Sequence, residues 1–384
     1  MATVLFWLAA GTLAIYLASA VEIFFGFRRI RHLRETVPPL ARKLPSVSIL
    51  VAARNEERNL QEALASLLKQ DHPQLEFIVV DDRSTDRTGE ILDAMALEDP
   101  RLRVVHLKEL PAGWLGKNHA LHAAAAQATG DLLLFTDADV VMEPSTVRRA
   151  AARVEDGGAD HLVISPSMLT KSVLLEAAVA GFFFFFTFFF RQWRVMNPKS
   201  RAHIGIGAFN LLRASVYRAI GGHEAIRLRP DDDVKLGKLV KMKGYRQEIV
   251  EGTGFIAVEW YRTVGELVRG LEKNMFAGLE YNLALAAAST VVILVACIWP
   301  FAGALVTHGW TQLLNAATAA TIFAILFCAL PRSGLRRRAG LAFPLAALLF
   351  LFIKWRAIAL TYLRHGIEWR GTRYSLKELR SNRV

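Results

Sequence analysis

Between about Pro45 and about Gly278 the sequence predicts an α/β domain with a mostly parallel sheet and flanking helices, and at both ends of the chain it predicts transmembrane helices. The first expectation rests on short apolar runs that alternate with segments whose apolar residues recur at helical spacing, since repeated βα units imply a parallel sheet covered on both faces. The second rests on composition. Of 384 residues 53% are hydrophobic and mean hydropathy is +0.28, too apolar for a purely soluble protein of this size.

The elements follow in order. Thr3 to Phe27 is apolar apart from Glu22 and long enough to cross a hydrocarbon core. Ala18-Ser19-Ala20 looks like a signal-peptidase site, but no Lys or Arg precedes the apolar stretch and a basic cluster follows it, which favours an uncleaved anchor with the next domain in the cytoplasm. Residues 28–44 form a basic juxtamembrane linker. Val47 to Ala53 reads as a strand, Glu57 to Lys69 as a helix carrying Leu60, Leu64, Leu67 and Leu68, and Phe77 to Val80 as a strand. Thr88 to Met95 (helix), Leu102 to Leu107 (strand), Lys117 to Ala128 (Ala-rich helix) and Asp131 to Thr136 (strand) continue the alternation. The α/β domain is expected over 45–280, C-terminal membrane helices over 281–363 (Leu283 to Val306, Thr311 to Leu330, Leu341 to Tyr362), and a basic tail over 364–384.

The net charge of +12 is concentrated beside apolar stretches, at Arg28, Arg29, Arg31 and Arg34 and at Arg332, Arg336, Arg337 and Arg338. Such clusters fit membrane orientation and lipid headgroups, so a membrane partner is expected and no nucleic acid. Cys297 and Cys328 both lie in apolar stretches, which leaves no disulfide framework or cysteine metal site in the polar part and fits a reducing cytoplasmic setting.

Polar residues gather where the strands end. Asp137-Ala138-Asp139 closes the run Leu132 to Phe135, at the carboxyl end where open α/β sheets bind ligands. Two hard oxygen donors there suit Mg²⁺ or Mn²⁺ on a diphosphate, although an Asp pair after a strand also serves as a turn or helix cap. Asn55 and Glu56 follow the first strand, and Asp81 and Asp82 end the second, where crowded acids call for a cation or hydrogen-bond donors such as a nucleotide base and ribose. Asp231, Asp232 and Asp233 are candidates for a general base; an acidic helix start favoured by the dipole is the lesser alternative and is compatible with that role. Gly205 and Gly207 would let backbone approach an acceptor closely; His203 reads as a surface histidine. Arg262, Arg269 and Lys273, after Trp260, are expected on one face of a helix.

Five segments in this order resemble the family 2 glycosyltransferases with the GT-A nucleotide-sugar fold: Val51-Ala52-Ala53-Arg54-Asn55-Glu56, Val79 to Asp86, Gly116 to Leu121, Phe135 to Asp139, and Asp232-Asp233-Val234 followed by Lys243-Gly244-Tyr245. The resemblance covers roughly Ser46 to Tyr281. It implies that Asn55, Glu56 and Asp82 surround the base and ribose, that Asp137 and Asp139 hold the metal on the diphosphate, and that Lys117 faces the phosphates. It also implies Asp233 as the catalytic base, because the family's Asp lies eleven residues before the Gly of a Gly-Tyr pair, as Asp233 does before Gly244. Asp232 then stands where the family usually has Glu, and is the second choice. Gly113 to Asn118 resembles the subgroup linked with carotenoid and hopanoid glycosylation.

Leu174 to Phe190 is nearly long enough to cross a membrane, with Phe182 through Phe186 and Phe188 through Phe190. A crossing would put Asp233 and Asp139 on opposite sides, so an interfacial or half-buried helix is expected, with Trp193 at headgroup level beside a lipid acceptor. The expected protein is an inverting, metal-dependent hexosyltransferase of the inner (plasma) membrane, multi-pass, with a cytoplasmic catalytic domain. It would move sugar from a nucleotide-diphosphate donor to a lipid or isoprenoid-type acceptor. A processive polysaccharide synthase is the alternative, disfavoured because the Gln-x-x-Arg-Trp of such enzymes is not found; a non-catalytic nucleotide-sugar or lipid-binding scaffold is a third. Four crossings would leave the basic tail outside, so one late stretch is expected to re-enter, and Pro344 points to Leu341 to Tyr362.

Overall fold

A computed structural model describes residues 2–38, 43–382 and 384; part of the basic linker and Arg383 of the tail lie outside the described residues. The chain divides into two compact units: one of Met1–Arg29, Leu169–Trp193 and Trp260–His365, the other of Ile30–Met168, Arg194–Glu259 and Gly366–Val384. The expected boundaries at 280 and 364 therefore move. Residues 169–193 and 260–280 belong with the apolar helices, and the tail belongs with the α/β unit.

The α/β unit is built on strands β1 (Val47–Ala53), β2 (Leu75–Asp82), β3 (Leu102–Leu107), β4 (Leu132–Asp137), β5 (Val140–Met142), β6 (His161–Ser165), β7 (Ser167–Met168), β8 (Asn210–Arg213), β9 (Gln247–Glu251), β10 (Ile256–Val258), β11 (Gly366–Trp369) and β12 (Thr372–Ser375). Seven of them form one sheet in the order β3-β2-β1-β4-β8-β6-β9, parallel except for β8, which runs antiparallel to β4 and β6. The central strands are buried on both faces, at Ile49 to Val51, Phe77 to Val80 and Leu132 to Phe135. That is why they read as continuous apolar runs rather than alternating ones. A three-stranded sheet, β5-β10-β7, and the β11–β12 hairpin complete the unit. The expected βα alternation is present, with the first helix shorter than its pattern, Leu60–Leu68, and the others at Thr88–Glu98 and Gly116–Gln127.

Register places the chemistry. Ala52 sits opposite Asp137 and Ala53 opposite Asp81. The carboxyl ends of β1, β2 and β4 thus open on one edge, where open α/β sheets bind ligands.

The apolar unit holds five helices long and apolar enough to cross a membrane, among the described residues: Ala2–Phe27, Val173–Arg194, Leu283–Val306, Gly309–Ser333 and Arg337–Leu363. Pro344 does not break the last of these. It sits in the first turn of the Phe343–Leu363 helix, where its missing N–H has no partner to lose. The Phe-rich helix, capped by Ser172, buries Phe184 against Phe343 at 4.3 Å between ring centroids and leaves Phe189 71% exposed. Trp260 and Arg262 precede their helix, which begins after the Thr263 cap at Val264, so only Arg269 and Lys273 of the basic row lie on it.

Candidate active site

The loop after β1 is fixed to the loop after β2 by side chains at their ends. Asn55, held in the left-handed region at φ 56°, accepts from the Thr85 N–H through Oδ1 at 2.8 Å and donates its own N–H to Ser84 Oγ at 3.1 Å. The Glu56 N–H donates to Thr88 Oγ1 at 2.8 Å. The two acids closing β2 do not depend on a ligand for compensation. Asp82 accepts from Arg83 Nε at 2.7 Å and lies 3.6 Å from Arg54, while Asp81 accepts from the Ser84 N–H at 3.1 Å and pairs with His106 at 3.0 Å. Their crowding, read in the sequence as a call for nucleotide donors, is resolved within the protein. Hydrogen bonds to Asp81 and Asp93 in turn hold His106 above the ordinary histidine range.

Lys117 opens the Gly116–Gln127 helix and lies between two acid sites, 2.8 Å from Asp137 Oδ1 and 3.3 Å from Asp232 Oδ2. Burial alone would lower its pKa; the charges of Asp137, Asp232 and Asp233 outweigh that and hold it well above the ordinary lysine. Asn118, the next residue, donates to the carbonyls of Ile226 and Arg229 at 2.7 and 2.9 Å, tying the helix start to the segment that leads into the 231–233 acids.

Those three acids have separate placements. Asp231 pairs with Arg229, itself 1% exposed, at 3.0 Å through Nε and 3.1 Å through Nη2. Losing one partner of such a buried pair costs roughly 3–5 kcal/mol, so Asp231 reads as an anchor. Asp232 pairs with Lys117. Asp233 accepts the Gly207 N–H at 2.8 Å through Oδ2 and the Val234 N–H at 2.8 Å through Oδ1. Burial, and then the charge of Asp232, push Asp233 up to about 7.

Gly205 and Gly207 do permit a close approach, but what they approach is the acids. A Cβ on Gly205 would run into the Asp233 carbonyl, and one on Gly207 would stand 2.5 Å from Asp137 Oδ2. Trp193 does not offer its ring to an acceptor. It is 6% exposed, packs on Gly26 and Phe27 of the N-terminal helix, and donates its indole N–H to Glu22 at 2.8 Å. His203 is half-buried, its Nδ1 3.1 Å from the Arg201 carbonyl.

Two carboxylates are available to a metal. Burial raises the Asp139 carboxyl to about 7, and the charges of Asp137 and Glu56 add to it, leaving acid charge that a divalent cation would relieve. Among the described residues no cluster of three or more His, Cys, Asp or Glu side chains could hold a metal ion by itself. Two carboxylates with the remaining positions left to water and phosphate fit Mg²⁺ or Mn²⁺, which keep several such ligands. Asn55, Glu56, Asp82, Lys117, Asp137, Asp139, Asp232 and Asp233 all belong to the one α/β unit.

The tail adds two residues that the sequence reading missed. The β11–β12 hairpin turns on Arg370 and Gly371, at φ 48° and 75°, the type I′ geometry of a two-residue loop. Arg370 donates to the Arg54 carbonyl and to Glu56 Oε1. Tyr374 Oη accepts the Gly116 N–H at 3.2 Å. Beyond them, Asn382 accepts from the Leu228 N–H at 3.0 Å and donates to the Ala225 carbonyl at 3.0 Å. An Arg-Gly pair between β-prone residues signals a tight hairpin; nothing local signals where it docks.

Residues 48–221, running from β1 past β8, match the family model described as Glycosyl transferase family 2. The chain is 26% identical over 67% of its length to a 4,4'-diaponeurosporenoate glycosyltransferase of Staphylococcus haemolyticus, of which it covers 68%. It is 27% identical over 61% of its length to a beta-monoglucosyldiacylglycerol synthase of Synechocystis, spanning half of that protein. In fold it is similar to the mannosyltransferase PcManGT from Pyrobaculum calidifontis, solved in complex with GDP-Man and Mn²⁺: TM-score 0.54 at 20% identity, covering 94% of this chain and 99% of that one. Residues 48–221 thus carry a glycosyl transferase family 2 domain, which supports a glycosyltransferase, in an α/β unit of GT-A-like fold.

Proposed function

We propose that the protein is an inverting, metal-dependent glycosyltransferase that moves a sugar from a nucleotide-diphosphate donor to a lipid-type acceptor at the cytoplasmic face of the plasma membrane. The observation that carries this reading is Lys117, shared between Asp137 and Asp232 at 2.8 and 3.3 Å, because it ties the acids of the diphosphate side to those of the acceptor side around one cation.

Asp137 and Asp139 would hold Mg²⁺ or Mn²⁺, which supplies positive charge against the oxygens of the leaving diphosphate. Lys117 adds a point charge there, and Asn55, Glu56 and Asp82 border the base and ribose. The acceptor hydroxyl attacks the anomeric carbon, the bond from that carbon to the diphosphate oxygen breaks, and the hydroxyl proton passes to the Asp233 carboxylate. One displacement inverts the anomeric centre. Burial and the charge of Asp232 raise the Asp233 carboxyl, which makes it a stronger base, and the Gly207 and Val234 N–H groups fix its orientation. Arg370 and Tyr374 position the donor-side loops through Glu56 and Gly116. The names of the relatives, one acting on a carotenoid acid and one making a diacylglycerol glycolipid, support a lipid acceptor.

Connectivity supports the membrane arrangement. Strand β8 pairs with both β4 and β6, so the segments on either side of Val173–Arg194 share one sheet and lie on one membrane face. That helix then does not cross. The tail bonds to Arg54, Glu56 and Gly116, so the stretch between Glu259 and Gly366 leaves this face and returns, crossing an even number of times. Of its three apolar helices the last is the one that stays. Lys354 and Arg356 lie in its middle, the first bonded to Thr290 Oγ1 and Ser289 Oγ at 2.7 and 3.0 Å, the second to Glu272 at 2.6 Å. With the amino-terminal anchor entering from outside, three crossings leave the tail in the cytoplasm, consistent with the positive-inside bias.

The test is transfer itself. Purified protein in lipid bilayers with Mg²⁺ or Mn²⁺ and labelled UDP-, GDP- or dTDP-sugars is expected to put label into the lipid-soluble fraction with one donor class. No product with any common donor would overturn the proposal and favour a binding scaffold.

A further inference from the structure

The apolar unit carries a second feature, sharing no residue with the candidate active site, in the linker after the Gly309–Ala329 helix. A groove of about 640 Å³ is lined by Phe323, Phe327, Leu335, Leu341, Arg337 and Arg338 among others. Phe323 and Phe327 stand one turn apart on one helix face and give it an apolar floor. Its rim is cationic. Residues 332–338 contain four arginines and no acid.

Two of those arginines are occupied within the protein. Arg336 Nε donates to Glu176 Oε2 at 2.7 Å, and Arg332 lies 5.1 Å above the Phe27 ring. The other two line the groove beside Arg336. Arg337 lies 4.7 Å above the Phe327 ring, so its guanidinium caps the apolar floor, and Arg338 adds to the field at Glu176. Both are exposed, and among the described residues no carboxylate lies in ion-pair range of either.

A ligand matched to both parts must be anionic at one end and hydrocarbon at the other. A free phosphate has no use for the phenylalanines, and an uncharged lipid leaves the guanidiniums unpaired. A zwitterionic headgroup brings its own cation against them. We propose that the groove is a binding site for an anionic glycerophospholipid, its phosphate between Arg337 and Arg338 and an acyl chain over Phe323, Phe327 and Leu341. Basic pockets beside membrane helices hold anionic headgroups in this way. The site rests on the membrane reading of this unit and shares no residue with the acid cluster, so failure of the donor chemistry would leave it standing.

Lipid retention by the full chain tests it, measured by native mass spectrometry from mixed micelles holding phosphatidylglycerol and phosphatidylcholine with the same acyl chains. The parent is expected to retain phosphatidylglycerol on the order of tenfold better, as two nearby guanidiniums allow. The pair Arg337→Gln and Arg338→Gln should abolish the preference at an unchanged melting temperature. The pair Arg28→Gln and Arg29→Gln removes the same charge elsewhere and should keep it. Equal retention of both lipids by the parent, a preference surviving in the 337/338 pair, or an equal loss in the 28/29 pair would each overturn the site.

Discussion

Asp137 and Asp233 sit on segments far apart in sequence, and a glycine between them in the fold decides whether they can meet. Gly207 donates to Asp233 and leaves no room for a side chain beside Asp137. Gly207→Ala must displace one acid or the other, and overpacking of this kind costs roughly 1–3 kcal/mol. Calorimetry with Mg²⁺ and the preferred nucleoside diphosphate should show affinity falling about tenfold or more. Unchanged affinity would mean that the acids do not hold the diphosphate. At this scale the members of the candidate site were legible in the sequence, because strand-end acids and the Asp233–Gly244 spacing are local, while their roles are those proposed above. Two placements were not legible. The glycines, read as an approach for an acceptor, also pack against Asp233 and Asp137, and beyond the local Ser84 and Arg83 the acids Asp81 and Asp82 find distant partners in His106 and Arg54.

Elements carry the next set of consequences. His161 on β6 lies fully buried between Asn210 on β8, 3.0 Å from Nε2, and Gln247 on β9, 2.7 Å from Nδ1. Burial holds its pKa down at about 4, and that of buried His223 at about 3. The unfolded chain therefore binds these protons first, so the stability they contribute is complete above about pH 6.5 and is lost as the pH falls toward 4. Denaturant unfolding followed at pH 7.5 and pH 5 should give a clearly lower midpoint at pH 5; equal midpoints would mean that these histidines are not buried neutral. The β11–β12 hairpin makes a separate prediction. Gly371 sits at φ 75°, where a β-branched side chain is strained by about 1–3 kcal/mol. Both Gly371→Val and Arg370→Ala should weaken nucleoside diphosphate binding severalfold while leaving the melting temperature within a few degrees. Binding equal to the parent in both would remove the tail from the donor side. The first four strands of the α/β unit and the three helices between them were readable from period and length, with ends off by a few residues; the strands after Asp137 were not read. The docking of residues 366–384 was not, because it depends on contacts from Arg370 onward to segments between 146 and 316 residues earlier in the chain.

For the whole molecule, parity is the testable statement. An epitope inserted after Thr307 should be digested only from outside in sealed vesicles of known orientation, and one placed after Val384 only from the cytoplasmic side. Both epitopes on one side would refute the three-crossing arrangement. Composition pointed to helices able to span a membrane, yet hydropathy does not rank them, since Val173–Arg194 has a mean hydropathy of 2.2, the same as Leu283–Val306. The proposed arrangement draws that distinction from sheet pairing on either side of the first and from the charges of Lys354 and Arg356 in the last helix. The central claim is that Asp233 takes the acceptor proton beside a diphosphate bound at Asp137 and Asp139. Label transfer from nucleotide sugar to extractable lipid, compared between the parent and Asp233→Asn with donor binding measured on both, tests it most directly. Donor binding is expected to persist in Asp233→Asn while the rate falls at least about a hundredfold; equal, nonzero product from both proteins would contradict it.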